Sequence, residues 1–453
     1  MIAAAVAAGH PATAAAGVEI LEEGGTAADA AVAMALASCV AETVMTGLLG
    51  GAHAIWWDGR RAALLDCFAD VPARSGALVD LRVPFGEDVV QYAIGPASCA
   101  VPGLPAGLDA LWRVGGTLPW PRLVQPAWRL AREGVPMPAA HAACLAMLAP
   151  VMTLGRGGEV YAPGGAILAT GQLLRQPGLV DALEALAAEG AAAVYRGTLA
   201  EALLAVEDVV VSADDLRRYE PRWRQPALEE YHGFHVQTRG GLSGVPELLG
   251  GLPLLRGRTP TERVLALVAA LDGAGAEGHT TNLVAVDAAG RACVLTSSLG
   301  LGAGVWLPGF DLHLNSMLGE RDLVVGELVA GERMESMMAP TLAFDADGLA
   351  LAIGSAGGTR LRTALASVLA GILDEDLPPQ AAVDRPRVHP GAEAVHAEPG
   401  VDGAALAQLE AQGRTVRRWP ALHHYFGGVS CVGRGGPAAD QRRSGAATGV
   451  GAP

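Results

Sequence analysis

The clearest β-hairpin of this sequence begins within the run Gly278-His279-Thr280-Thr281-Asn282-Leu283-Val284-Ala285-Val286-Asp287. A turn at Ala288-Ala289-Gly290 follows, and the residues from Arg291 to Ser298 complete the predicted antiparallel pair. The same pattern returns at Thr341 to Phe344 and at Leu349 to Ile353. Helical patterns lie before and after these hairpins. We therefore predict an α+β fold in which helices cover antiparallel sheet.

Two helices are predicted upstream of the hairpins. Residues 12–23 are rich in alanine, and Gly24-Gly25 supplies the backbone freedom that ends a helix. Thr26 is the predicted N-cap of a second helix over residues 27–40, and Asp29 in its first turn suits the positive end of the helix dipole. The region from about 105 to 230 alternates helical patterns with Pro and Gly, so we expect it to be mostly helical.

Composition excludes several classes of function. Of the 453 residues, 51% are hydrophobic and only 17% are charged, which is typical of a compact enzyme. All 32 positive side chains are arginine, so Schiff-base and serine-lysine chemistry are excluded. The net charge of -15 disfavours nucleic acid and anionic membranes as partners and favours a small molecule. The sequence leaves homo-oligomerisation open.

Neither cofactor nor metal is expected. The six cysteines lie far apart without a Cys-x-x-Cys pair, which indicates small core residues, and His423-His424 has no metal-ligand spacing around it. Gly354-Ser355-Ala356-Gly357-Gly358 is a weak match to a phosphate loop, further weakened by the absence of lysine. No arginine precedes Arg60, so we read no secretory signal and expect a cytoplasmic protein.

Thr280 is the remaining candidate nucleophile. A threonine hydroxyl is a poor nucleophile unless a base adjoins it, and a chain's own terminal amine can be that base. Such an amine exists here only if the His279-Thr280 bond is cut. The simpler interpretation is that threonine, a good strand former, begins a strand at this point. The residues themselves leave both interpretations open.

The order of short motifs along the chain resembles that of the γ-glutamyltranspeptidase family of N-terminal-nucleophile hydrolases. The motifs that carry this resemblance are Gly9-His10-Pro11, Gly24-Gly25-Thr26-Ala27-Ala28-Asp29, Val101-Pro102-Gly103, Gly116-Thr117-Leu118-Pro119, Ser212-Ala213-Asp214-Asp215-Leu216, His279-Thr280-Thr281, Leu314-Asn315, Ala339-Pro340-Thr341 and Gly354-Ser355-Ala356-Gly357-Gly358. Each motif is modest, but their shared order over nearly the whole chain is a strong signal.

This resemblance implies a four-layer αββα sandwich and a self-cleaved precursor. Residues 1–279 would form a large, mostly helical subunit and residues 280–453 a small subunit, together one domain. Thr280 matches the nucleophile, its freed amine matches the base, and Ser298 matches a hydroxyl that hydrogen-bonds the nucleophile. Gly357 and Gly358 match the glycines whose N–H groups form the oxyanion hole, where glycine permits close approach of two amides.

Several positions that bind the substrate in the family carry different residues in this sequence. Ser336 and Glu320 fall where the family holds the α-carboxylate and α-amine of a glutamyl group. Phe68 stands where the family has an arginine that clamps the α-carboxylate, which removes charge-assisted hydrogen bonds. Other changed positions are Gly300, Met317, Glu320 and Met337. The stretch between Gly241 and Thr280 is also shorter than in the family, so we expect a more open pocket.

These departures favour a self-processing hydrolase or acyltransferase with an acyl-enzyme on Thr280 and a substrate other than glutathione. Antibiotic-type metabolism is the expected setting, including carbon-carbon bond hydrolysis in a 4-alkylproline pathway. The first alternative is ordinary γ-glutamyl transfer or hydrolysis of glutathione-like amides, because Glu320 and Ser336 remain able to hold an amino acid. The second is an unprocessed, non-catalytic homologue.

Overall fold

A computed structural model describes residues 2–85, 88–272, 280–358 and 360–451 of the chain. Its strands are β1 (Ala5–Ala8), β2 (Gly51–Trp57), β3 (Ala62–Cys67), β4 (Val79–Phe85), β5 (Asp88–Ile94), β6 (Val135–Pro136), β7 (Leu173–Leu174), β8 (Arg222–Arg224), β9 (Ala227–Tyr231), β10 (Phe234–Thr238), β11 (Thr281–Val286), β12 (Ala292–Ser298), β13 (Trp306–Leu307), β14 (Leu312–His313), β15 (Thr341–Asp345), β16 (Gly348–Ala356), β17 (Val388–Pro390), β18 (Val395–Ala397), β19 (Val416–Arg418), β20 (Gly428–Gly433), β21 (Gly436–Ala439) and β22 (Ala446–Gly449). Its α-helices are α1 (Pro11–Glu22), α2 (Ala27–Ala41), α3 (Leu104–Gly115), α4 (Trp120–Glu133), α5 (Ala139–Met152), α6 (Arg156–Tyr161), α7 (Pro177–Glu189), α8 (Ala192–Tyr195), α9 (Thr198–Leu204), α10 (Ala213–Arg218), α11 (Val245–Gly251), α12 (Pro260–Leu271), α13 (Arg360–Leu369), α14 (Pro379–Asp384) and α15 (Gly403–Ala411).

Two antiparallel sheets organise the described residues. The first has the strand order β22-β1-β11-β12-β2-β3-β8, and the second has the order β21-β20-β16-β15-β10-β9. The predicted hairpin is confirmed as β11 and β12, paired from Thr281 opposite Ser297 to Val286 opposite Ala292. The second predicted hairpin is confirmed as β15 and β16. The mixed helix and sheet content agrees with the predicted α+β class.

The two sheets pack face to face, which fixes the direction of each side chain on β11. Val284 and Val286 belong to an apolar cluster that also contains Leu342 and Ala352 of the second sheet. The alternate residue Leu283 belongs instead to the cluster formed with α2. Because strand side chains alternate between faces, even-numbered positions of this segment face the second sheet and odd-numbered positions face the helices.

Helix α2 covers the outer face of the first sheet. All of its residues are buried, and most are alanines that let the helix approach the strands closely. The predicted N-cap is confirmed, because the Thr26 hydroxyl accepts from the Asp29 N–H and the Asp29 carboxylate accepts from the Thr26 N–H. Helix α1 precedes it at Pro11–Glu22, as predicted.

The second sheet carries helices on its own outer face. Leu361 and Leu365 of α13 share a core cluster with Leu351 and Ile353 of β16. Helix α13 begins directly after the segment that ends β16 and runs into a π-helical turn at Ala370–Asp374. The region from 105 to 230 is mostly helical, as predicted. In the part of the chain that the structure describes, we find no helix of the length and apolarity needed to traverse a bilayer.

Candidate active site

Thr280 lies immediately before β11, between the two sheets. It is 7% exposed, and its Oγ1 accepts a hydrogen bond of 2.8 Å from the Gly357 N–H. Its direction follows from strand alternation: Asn282, two residues on, reaches Gly354 of the second sheet, where an added Cβ would lie 2.6 Å from the Asn282 Cγ. The hydroxyl of Thr280 therefore points at the end of β16.

Gly357 and Gly358 form the bend between β16 and α13. Their φ angles are +129° and +59°, values that favour glycine. A Cβ on Gly357 would also lie 2.8 Å from the Gly427 Cα, so a side chain does not fit there. With the Gly357 N–H already directed at Thr280 Oγ1, the bend presents backbone donors beside the candidate nucleophile, as an oxyanion hole requires.

Ser298 ends β12 and lies opposite Thr280 by register. Thr281 pairs with Ser297, so Ser298 is the next position towards Thr280. Ser298 is buried, and its hydroxyl accepts from the Gly300 N–H at 2.9 Å. The structure thus brings Thr280, Ser298 and Gly357 to one end of the two sheets. His279, the other half of the predicted cleavage bond, lies outside the described residues.

A buried carboxyl group that the sequence did not single out lies on the helix side of β11. Glu42 follows α2, and its side chain accepts hydrogen bonds from the hydroxyls of Thr281 and Thr13. Burial raises the pKa of Glu42 to about 7, against the opposing effects of these hydrogen bonds and of Arg443. A carboxylate directly after a helix that is apolar apart from Asp29 and Ser38 is the sequence signal that could have found it.

Arg443 completes this buried group. A cavity of about 10 Å³, close to the volume that one water needs, is lined by Thr280, Thr281, Glu42, His141 and Arg443. Nε and Nη2 of Arg443 have no hydrogen-bond partner among the described residues. Burial lowers the pKa of Arg443 to about 10. No pattern in the sequence brings this C-terminal arginine to the nucleophile, because the contact depends on the fold.

Three predicted substrate-binding residues meet in one apolar cluster. Phe68, Met317 and Met337 pack together, and their neighbours in the cluster are Ala69, Val71, Ala100, Leu323, Met334 and Met338. Phe68 and Met317 are fully buried. The Phe68 ring lies over the strand, since a Cβ on Gly51 would lie 2.9 Å from its Cδ2. Large apolar side chains therefore line this part of the site, and the more open pocket stays a prediction.

The polar substrate-binding candidates border this cluster. A Cβ on Gly300 would lie 2.5 Å from Glu320 Oε1, so these two positions are in contact. Glu320 is buried, its Oε1 has no partner among the described residues, and burial raises its pKa to about 8. Ser336 is buried as well: its Oγ accepts from the Met338 N–H at 3.2 Å and its carbonyl accepts from Arg239.

A histidine missed by the sequence analysis lies beneath Phe68. His53 of β2 stacks on the Phe68 ring with centroids 5.6 Å apart, and its Nδ1 lies 3.7 Å from Asp66. Neither ring nitrogen has a hydrogen-bond partner among the described residues. Burial, aided by the charge of Arg239, holds the pKa of His53 well below its usual value, so the ring is neutral.

Comparison with known proteins assigns the family. The sequence model of the gamma-glutamyltranspeptidase family matches residues 13–266 and 256–450. This chain belongs to the γ-glutamyltranspeptidase family. The resemblance predicted from the order of short motifs is thereby confirmed, and the chain is an N-terminal-nucleophile hydrolase of the γ-glutamyltransferase type.

Relatives of this γ-glutamyltranspeptidase family member include acylases and glutathione hydrolases. The acylase ACY 1 proenzyme of Pseudomonas sp. (strain SE83) is 27% identical, over 93% of this chain and 88% of that one. The glutathione hydrolase proenzyme of Bacillus subtilis (strain 168) is 24% identical, over 98% and 91%. The cephalosporin acylase of Bacillus halodurans superposes with a TM-score of 0.84 at 22% identity, covering 99% and 96% of the two chains, and shares the fold.

Within the γ-glutamyltranspeptidase family, this site combines two unlike halves. One half presents the Thr280 hydroxyl, the neighbouring hydroxyl-bearing residues Thr281 and Ser298, and the N–H of Gly357. This arrangement suits attack on an acyl group. The other half is a buried cluster of phenylalanine and methionine beside a carboxyl group that burial keeps mostly neutral at pH 7. Such a lining suits an apolar acyl group better than a charged one.

Proposed function

We propose that this chain is a self-processing threonine hydrolase that forms an acyl-enzyme on Thr280 and releases a less polar acyl group than a glutamyl group. The proposal is carried by the hydrogen bond of 2.8 Å from the Gly357 N–H to Thr280 Oγ1, together with the fully buried Phe68 at the position where the family resemblance implies a substrate-binding arginine. The first feature supports acyl transfer, and the second argues against a glutamyl α-carboxylate.

The proposed processing step cuts the bond between His279 and Thr280. The Thr280 hydroxyl oxygen attacks the carbonyl carbon of residue 279, and its proton passes to the amide nitrogen as the C–N bond breaks. This leaves an ester between residue 279 and Thr280 Oγ1. Water hydrolyses the ester, giving a carboxylate on the large subunit, residues 1–279, and a free amine on the small subunit, residues 280–453.

The same hydroxyl then serves in turnover. The freed amine of Thr280 takes the proton from Oγ1 as the oxygen attacks the substrate's acyl carbon. The negative charge on the substrate oxygen is stabilised by the N–H groups of Gly357 and Gly358, each commonly worth about 3 kcal/mol of barrier. The leaving group departs with that proton, and water or an amine acceptor resolves the ester. Ser298 orients the nucleophile in this scheme.

The cluster around Phe68 supports a specific substrate class. Phe68, Met317 and Met337 provide apolar contact, and the neutral carboxyl of Glu320 can donate a hydrogen bond to an uncharged acceptor. We infer an apolar amide or ketone of antibiotic-type metabolism as substrate. Carbon-carbon hydrolysis in a 4-alkylproline pathway fits when the leaving carbanion is stabilised by conjugation. We also propose that the protein acts in the cytoplasm and that its fold is a four-layer αββα sandwich.

Ordinary γ-glutamyl transfer is the second candidate. It is favoured by Glu320, whose unpaired Oε1 borders Gly300 and could hold an α-ammonium group, and by the buried Ser336. An ammonium bound at this place would lower the pKa of Glu320, because opposite charges stabilise each other. An unprocessed homologue without catalysis is the third candidate.

Processing is tested on a denaturing gel. We expect two fragments from purified protein, and we expect sequencing of the smaller fragment to begin Thr-Thr-Asn-Leu-Val. Thr280→Ala should remain one band, whereas Thr281→Ala, its neighbour on the other face of the strand, should still be cut. A single unbroken chain in active wild-type protein would refute the mechanism.

Substrate class is tested with a chromogenic γ-glutamyl anilide. Cleaved wild-type protein should release little chromophore, and the rate should rise roughly ten-fold or more in Phe68→Arg, because a guanidinium restores charge-assisted bonds to the α-carboxylate. Phe68→Leu is the matched control and should stay at the wild-type rate. Equal rates in Phe68→Arg and Phe68→Leu, both folded and cleaved, would contradict the clamp argument.

A further inference from the structure

A second cavity opens at the edge of the sandwich, where the chain passes from β8 of the first sheet to β9 of the second. Its volume is about 600 Å³, within the range of small-molecule sites. We call it the arginine cleft, after the four arginines in its lining: Arg222, Arg224, Arg239 and Arg333.

The register of β8 directs two of these arginines into the space between the sheets. Arg222 pairs with Asp66 and Arg224 pairs with Leu64 of the neighbouring strand. Leu64 belongs to the apolar cluster between the sheets, so its strand neighbour Arg224 shares that inner face. Arg222, two residues away, lies on the same face because strand side chains alternate.

Two of the four guanidinium groups are committed to the protein itself. Arg333 contacts Asp70 at 2.5 Å and Asp66 at 3.1 Å, and its side chain is 6% exposed. Arg239 donates to the carbonyl of Ser336 and lies 3.2 Å from Glu335. These groups fix the inner wall of the arginine cleft.

The other two guanidinium groups provide unbalanced positive charge. Arg224 lies 3.4 Å from Asp66, a carboxylate that Arg333 already neutralises, and its side chain is 52% exposed. Arg222 has no ion pair within 4.0 Å among the described residues. The lining also contains the carboxylates of Asp66, Glu332 and Glu335, so it keeps one positive charge in excess in a chain of net charge -15. Arginine forks match carboxylates in a planar, two-bond geometry.

We propose that the arginine cleft binds the carboxylate of a small organic anion, held by Arg222 and Arg224 at the mouth. The cleft adjoins the acyl-binding cluster, because Arg239 bonds to Ser336 beside Met337. Four strand steps separate β8 from β11, so the site lies about 19 Å from Thr280. The proposal is therefore independent of the chemistry at Thr280.

Calorimetric titration of the purified protein with glutarate tests this site, since glutarate contains no bond for the enzyme to cut. We expect saturable binding that weakens with salt and falls at least ten-fold in Arg222→Gln and in Arg224→Gln. Arg217→Gln is the matched control, because this arginine is exposed and its one ion pair within the described ranges is with Asp214. Its affinity should stay within two-fold of wild type.

Three results would overturn the assignment. One is absence of binding to wild-type protein, and another is equal affinity in wild type and Arg222→Gln, a substitution on an edge strand that the fold tolerates. The third is tighter binding of inorganic phosphate than of glutarate, which would replace a carboxylate site by a phosphate site. Thr280→Ala should bind glutarate like wild type, so failure of the proposed hydrolase mechanism leaves this result unaffected.

Discussion

At the scale of one residue, the most specific prediction concerns Gly357. A Cβ there would lie 2.8 Å from Gly427 Cα, and the φ of +129° is unfavourable for alanine. Gly357→Ala should therefore turn the N–H away from Thr280 Oγ1. We expect acyl-adduct formation on Thr280, followed by intact mass of the small fragment, to slow by about 10²- to 10³-fold.

The control for this variant is Gly436→Ala. Gly436 has a φ of +105°, but a Cβ there would meet no atom of the described part of the chain within 4 Å. This substitution carries the same backbone penalty without a clash, so adduct formation should be unchanged. An unchanged rate in Gly357→Ala as well would mean that the bend after β16 does not serve the nucleophile.

The raised pKa of Glu320 makes the free energy of unfolding depend on pH. Burial raises its pKa to about 8 in the folded chain, against an ordinary value of 4.5. Below pH 4.5 the carboxyl is neutral in both states. Between pH 4.5 and 8 the unfolded chain loses this proton while the folded chain keeps it, so stability falls as pH rises, by on the order of a few kcal/mol.

Glu320→Gln should remove most of this dependence, and Glu327→Gln, at an exposed position, should leave it intact. Melting temperatures at pH 5 and pH 8 measure the effect, in a Thr280→Ala background that keeps the chain in one piece. The contribution of Glu42, whose pKa is about 7, also falls as the pH rises, and it accounts for the pH dependence that remains in Glu320→Gln. Parallel curves for both glutamine variants would show that Glu320 is ionised in the folded protein.

Local sequence predicted the positions of only two parts of the site, and their roles were implied by the resemblance to the family. The Gly357-Gly358 bend follows an apolar strand in the sequence itself, and Thr280 begins an evident hairpin. Glu42, Arg443 and His53 were missed because their proximity to these residues is created by packing between distant segments.

At the scale of elements, the cap of α2 links stability to the site. The Asp29 carboxylate is fully buried and accepts from the N–H and hydroxyl of Thr26 and from the N–H and hydroxyl of Thr117. Asp29→Ala would leave the buried Thr26 N–H without its acceptor and remove the hydrogen bonds from Thr117. We expect a loss of about 2 to 4 kcal/mol in the free energy of unfolding, measured with urea.

Asp214→Ala is the matched control, since Asp214 also lies in a first helical turn but is exposed. It should change stability by less than about 0.5 kcal/mol. Because α2 ends beside Glu42, Asp29→Ala should also slow processing at Thr280. If both aspartate variants lost the same stability, the buried cap would have no special role.

Most elements were predictable, and the exceptions share a cause. Helices α1 and α2 and the two hairpins have local signals in capping residues and in apolar periodicity. Strands β1 and β22 have none, since both consist mainly of alanine and other residues of weak strand preference. They are strands because β11 lies beside β1, and β1 in turn pairs with β22.

At the scale of the whole molecule, the two predicted subunits are interleaved. In the first sheet, β1 of residues 1–279 lies between β22 and β11 of residues 280–453, and β12 pairs with β2 across the same division. In the second sheet, β10 of the first segment pairs with β15 of the second. Separating the subunits would break backbone hydrogen bonds in both sheets and expose the core between them.

Cleaved protein should therefore behave as one particle. We expect both fragments to co-elute in gel filtration at the size of the intact chain, with separation only in denaturant, and we expect cleaved protein and Thr280→Ala to melt within a few degrees of each other. The reason is that cleavage before Thr280 removes one covalent bond and no strand pairing, whereas dissociation removes at least three paired strand edges. Fragments that separate in native buffer would contradict the interleaved topology, even if processing occurs as proposed.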